Sequence, residues 1–169
     1  MGTLTDPNPP IPSTYHAGML KGLSLSPWTA WLIMYTGVRR IEVNQPVPHT
    51  GPAILSVGRG QPIGIELAES AIQAERWGWA AGNLIIVQNH IAWMTTDTNR
   101  VEAALPLGAA IASSTILSCE PVPGSVERWD LRLRGVTELA APFAVPDHPA
   151  GLWTPTVTQR ARFHHAVRR

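Results

Sequence analysis

Residues Leu23 to Gly58 read LSLSPWTAWLIMYTGVRRIEVNQPVPHTGPAILSVG, and this stretch decides the fold. Ser26 is a good helix N-cap, and Pro27 suits the first helical position, where its missing N–H costs nothing. Trp28, Trp31, Leu32 and Tyr35 recur at three- and four-residue spacing, which predicts a helix of about three turns with one apolar face. Gly37 supplies the left-handed residue that stops it. The next run, Gly37 to Asn44, reads as a strand. Alternation puts Val38, Arg40, Glu42 and Asn44 on one face and Arg39, Ile41 and Val43 on the other. A carboxylate, an amide and a guanidinium thus lie together beside the end of a Trp-bearing helix. Two readings are open: a surface ion pair worth under about 1 kcal/mol, or the edge of a ligand site. Pro46 and Pro48 break the strand, and Pro52 to Val57 is a compact apolar run suited to a buried strand.

Working outward, Lys21 to Leu25 is a short first strand. Gly64 to about Ala81 is expected to be helical, with Ile65, Ala68, Ile72 and Trp79 on its apolar face and Glu75 interrupting it. Glu66 and Glu69 sit near its N-terminus, where the helix dipole favours negative charge, and Gly82-Asn83 is the expected stop. Leu84 to Met94 is compatible with strand or helix. Ala109 to Cys119 reads as a strand, and Trp129 to Arg134 alternates, apolar at 129, 131 and 133 and charged at 130, 132 and 134. Arg132 and Arg134 are then a solvated face or a nucleic-acid contact. Three parts are expected: a Pro-rich lead-in over 1–20, a domain over 21–156 with an insertion over 61–104, and a basic tail over 157–169. Arg160, Arg162, Arg168 and Arg169 in the tail are candidate phosphate contacts or a solvated terminus.

The chain has 169 residues, 44% of them hydrophobic, which is enough for one domain with a real core. A net charge of +1 selects no class of partner. The single cysteine, Cys119, excludes an internal disulfide and suits a reducing compartment, so a cytoplasmic location is expected. No apolar run approaches the roughly 20 residues of a membrane span, and the N-terminus lacks the pattern of a secretory signal. The six histidines are scattered, and no nucleophile elbow, P-loop or Cys-x-x-Cys is present. No metal or cofactor is expected.

SPWTAWLIMYTGVRRIEVN followed by HTGPAILSVG resembles the ASCH family of the PUA-like superfamily. Its members carry a Pro-Trp helix, a Gly-x-Lys-x-x-Glu-x-Arg motif and a Gly-Pro-apolar strand. Leu105 to Cys119, Trp129 to Phe143 and Gly151 to Trp153 are similar to the family's later strands and closing Gly-Leu-Trp. The resemblance spans Lys21 to Trp153. It implies an α+β fold, a small PUA-like β-barrel of about five to six strands with two to three flanking helices. Arg39 stands where the family has Lys, Asn44 where it has Arg, His49-Thr50 where it has Tyr-Arg, and Ser56 where a His is common.

The resemblance also implies a function: a binding module for RNA, single-stranded nucleic acid or a modified nucleobase, in a cleft beside Gly37–Asn44. Its base-binding residues would be Trp28, Arg39, Arg40, Glu42, Asn44, Ser56 and Arg59. Trp28 has a second reading, as core. The alternative is a small metal-independent hydrolase of an acylated, N4-acetylcytidine-like nucleoside or of RNA. Family members of that kind use the motif lysine, the side chain at the position of Glu42 and a further carboxylate. Glu42 and Arg39 are the candidates here, but an arginine stays protonated and cannot act as a base. The insertion is the expected place for a homodimer contact.

Overall fold

The computed structural model describes residues 20–59, 63–79, 107–145 and 151–167. The expectations for the lead-in, for 84–94, for a dimer contact through the rest of the insertion, and for Arg168 and Arg169 lie outside the described residues.

The fold is α+β. In chain order it comprises β1 (Lys21–Leu25), α1 (Pro27–Tyr35), β2 (Arg40–Val43), β3 (Gly51–Val57) and α2 (Ile63–Trp77). It continues with β4 (Ala109–Pro121), β5 (Trp129–Ala144), β6 (Gly151–Trp153) and α3 (Val157–Val167). The strands form one mixed sheet in the order β2-β5-β4-β3-β1-β6, a half-barrel whose described edges are β2 and β6. Among the described strand pairs, only β1 and β3 run parallel. Parallel neighbours need a crossover, and α1 with β2 forms it. The crossover lays the helix against the sheet and sends β2 to the far edge beside β5. The long β4–β5 pair shifts register between Ala110 and Ala112, Ser113 and Thr115, and Ile116 and Ser118. Each irregularity adds local twist, and together they bend the sheet.

The signals around α1 act as expected at its ends. The Ser26 Oγ accepts from the Thr29 N–H at 3.2 Å, Pro27 opens the helix, and Gly37 takes φ 74° behind it. The apolar face is broader than the spacing suggests. Trp28, Ala30, Trp31, Leu32 and Ile33 are all buried, while Tyr35 is half exposed. The helix is therefore enclosed on nearly every side, and periodicity alone reads only one of them.

The packed face of α2 is not the apolar one. Ile65, Ala68 and Ile72 face outward, and Ser70, Gln73 and Ala74 are buried. The helix ends at Trp77, with Gly78 at φ 58°, earlier than the expected stop at Gly82. Its inward groups bind the edge of β2: Gln73 Oε1 accepts from the Glu42 N–H at 2.9 Å, and Trp79 Nε1 donates to the Arg40 carbonyl at 3.1 Å. Those two backbone groups would otherwise be the open rim of an edge strand.

The face of β5 expected to be wet is wet in part: Arg132 is exposed and Arg134 half-buried, but Asp130 is buried. Asp130 is 5% exposed, and Arg40 and Arg132 both bind it. A second core cluster forms at the other side, where Trp153, Phe143 and Leu139 meet Phe163 and Ala166 of α3. The basic tail is thus a packed helix as far as Val167.

Candidate functional site

A cleft of about 270 Å³ opens where β1, the start of α1, β2 and α2 converge. Its apolar lining is Leu23, Leu25, Trp28, Leu32, Ile41, Val43 and Val47. Its polar wall is Glu42, Asn44 and Gln45 from β2 and beyond, Arg59 after β3, and Glu66, Glu69, Ser70 and Gln73 from α2. An outer groove shares Asn44 and Glu69 and runs to the turn 124–128.

Four of the residues singled out in the sequence line this cleft: Trp28, Glu42, Asn44 and Arg59. Trp28 does so from within the core. It is 1% exposed, stacks on Trp31 at 5.4 Å between ring centroids, and donates from Nε1 to Ser70 Oγ at 2.6 Å. The Glu42 side chain is 2% exposed and bound by Arg76 Nη1 at 2.6 Å, with Arg128 Nε at 4.0 Å. A carboxylate this dry needs such cations.

The other candidates are elsewhere. The Arg39 guanidinium turns back to the end of α1, where Nη1 donates to the carbonyls of Ile33 at 2.6 Å and Val38 at 2.9 Å. It satisfies a helix C-terminal acceptor, and burial lowers its pKa. We expect Arg39→Ala to lower stability by about 1–2 kcal/mol in thermal denaturation while leaving affinity at the cleft unchanged. Arg40 forks onto Asp130 and lies 3.8 Å over the Trp77 ring. Ser56 is buried and accepts from Trp153 Nε1 at 3.0 Å. Arg160 and Arg162 are on α3, which lines no part of the cleft. Cys119 accepts from the Val47 N–H, and burial pushes its thiol pKa up.

The groups that sequence reasoning missed are on α2. Glu66 is largely buried, and its carboxyl pKa is pushed up to about 7, chiefly by that burial; a Ser26 hydrogen bond opposes the shift and the charge of Glu69 adds to it. Glu69 pairs with Arg128 at 3.1 Å. The signal was present as Glu66, Ser70, Gln73 and Trp77 at helical spacing, a polar stripe that an apolar-face search passes over. Among the described residues no group of three His, Cys, Asp or Glu side chains is arranged to hold a metal, and no helix is long and apolar enough to cross a membrane.

No protein-family model matches this chain, and no curated protein matches it. The likeness to ASCH domains rests on the sequence motifs quoted above.

Proposed function

We propose that the protein is a binding module for a single modified nucleobase or nucleoside, held in the cleft beside β2. The observation that carries this reading is the composition and size of the cleft. At about 270 Å³ it lies just under the roughly 300–1,000 Å³ of drug-sized sites, which suits one small heterocycle. Its apolar lining offers hydrocarbon to a ring face, and Glu42, Asn44 and Gln73 in the same lining offer a carboxylate and two amides to a ring edge. Three carboxyl side chains against one guanidinium weigh against a phosphate polymer, which needs net positive charge. The ASCH-like motif around Glu42 supports the same class of ligand.

Tryptophan fluorescence tests this, because Trp28 borders the cleft. Titration with nucleobases, modified nucleosides and a short RNA is expected to give saturable binding for a base or nucleoside and none specific to the oligonucleotide. Glu42→Gln is expected to weaken that binding by about tenfold or more. Its own melting temperature separates a lost contact from a lost fold. RNA binding that survives Glu42→Gln, with no base bound, would overturn the reading.

Hydrolysis of an acylated nucleoside is the second reading, and one observation favours it. Glu66 titrates near neutrality within the cleft, where a general base for water is best poised. Water would attack the acyl carbonyl as Glu66 takes its proton, the C–N bond would break, and the proton would pass to the leaving amine. Release of acetate from N4-acetylcytidine by the parent but not by Glu66→Gln is the expected signature. Its absence leaves binding alone.

A further inference from the structure

Among the charged groups lining the cleft, three carboxyls outnumber the one guanidinium, Arg59. Glu42 enters from β2, Glu66 and Glu69 enter from α2, and ionised carboxylates only accept. Two of the three are already matched from outside. Arg76 holds Glu42 and Arg128 holds Glu69, yet neither arginine lines the inner cavity. Glu66 differs: among the described residues it faces the Ser26 hydroxyl and the carboxylate of Glu69, and no cation is paired with it. A ligand entering here meets a carboxyl without a counter-charge, next to a hydrocarbon wall that favours a flat ring.

Resting on the reading of the cleft as a base-sized site, we propose that it selects a planar ligand whose inner edge presents two adjacent N–H donors, of amidine or 2-amino-ring type, with Glu66 as the group that reads that edge. Two parallel N–H groups match the two oxygens of a carboxylate, the geometry that makes guanidinium–carboxylate pairs strong. The same wall repels anions, so a phosphorylated or carboxylated analogue is rejected. The donor edge also stands in for the missing cation, which offsets the desolvation of Glu66. The other charged groups that line the cleft with Glu66 are Glu69 on its own helix, Glu42 on β2 and Arg59 after β3. Ser26 at the start of α1 supplies the one neutral partner. Because burial holds the Glu66 carboxyl up to about 7, binding of a donor edge strengthens as pH rises through that value.

Benzamidine, benzamide and benzoate are matched in shape and differ in the edge they present. Calorimetric titration of the full chain at about pH 6 and about pH 8.5 is expected to show benzamidine binding that strengthens about tenfold between the two. Benzamide and benzoate are expected to bind at least about tenfold more weakly than benzamidine at the higher pH. In Glu66→Gln the pH dependence disappears while the fold is retained, with a melting temperature no lower than the parent's. Benzamide matching benzamidine, benzoate binding best, or an unchanged pH dependence in Glu66→Gln each overturns the inference. If nucleobases bind in the fluorescence titration while any of these occurs, only the donor-edge rule fails. If neither nucleobases nor benzamidine bind, the base-sized reading fails with it.

Discussion

Gly22→Ala is expected to destabilise the fold by about 2–4 kcal/mol, the largest effect of any single methyl addition in the described chain. Gly22 pairs with Trp153 across β1 and β6, and the indole lies directly on the glycine. A Cβ at that position would stand 1.9 Å from Trp153 Cε2, closer than any real contact. The ring must leave, and two things leave with it. Ser56 loses the Nε1–H donor in a site that is 1% exposed, and the cluster of Leu20, Ile54, Phe143 and Phe163 loses its largest member. Denaturant unfolding measures the loss. The double variant Gly22→Ala/Trp153→Leu is expected to recover part of it, because the clash is removed along with the ring. A double variant as unstable as the sum of the two singles would refute this account of the contact.

Glu66→Gln is expected to stabilise the protein at about pH 8.5 by about 1–3 kcal/mol and to change little at about pH 5. The sign follows from the direction of the shift. The folded carboxyl titrates at about 7, raised from 4.5 by burial first, against a hydrogen bond from Ser26 and with help from Glu69. Between these two values the folded chain holds a proton that the unfolded chain has released. Stability is therefore full below about pH 4.5 and declines as pH rises through about 7. The whole shift corresponds to about 3–4 kcal/mol, and the partial solvent contact of Glu66 reduces it. Glutamine keeps the shape and never ionises, so its unfolding free energy should be flat over that range. A parent protein whose stability rises from pH 5 to 8.5 would contradict the buried carboxyl. A group that is costly when charged and well placed in a cavity is a common mark of a working site.

The ends of α1 and the edge strand after it were legible because they depend on local chemistry. A serine cap, a proline at the first turn and a left-handed glycine act within a few residues of themselves. Glu42 and Asn44 were legible as cleft residues for a similar reason, since a strand fixes which neighbours share an edge. Arg39 was not, because a side chain long enough to reach solvent is also long enough to fold back onto Ile33. The polar packing of α2 was hidden for a different reason. Its partners are a buried indole and the backbone of β2, contacts separated by 42 and 31 residues that no window of sequence contains. The alternation in Trp129 to Arg134 was read correctly as a two-faced strand, but whether the charged face meets water depends on what lies over it. Here Arg40 covers Asp130, while Arg132 stays exposed as expected. Phe163 and Ala166 are too sparse an apolar signal to mark α3 within a run of arginines and histidines.

The covering of β2 has a consequence for how copies of this protein meet. An amide from Gln73 and an indole from Trp79 already occupy the Glu42 N–H and the Arg40 carbonyl, so a foreign strand arriving there finds part of its ladder taken. At the opposite margin β6 offers three residues, a template too brief to recruit a growing stack. Crowding at high concentration should therefore drive this fold toward side-chain contacts between whole molecules before it drives it toward fibrils.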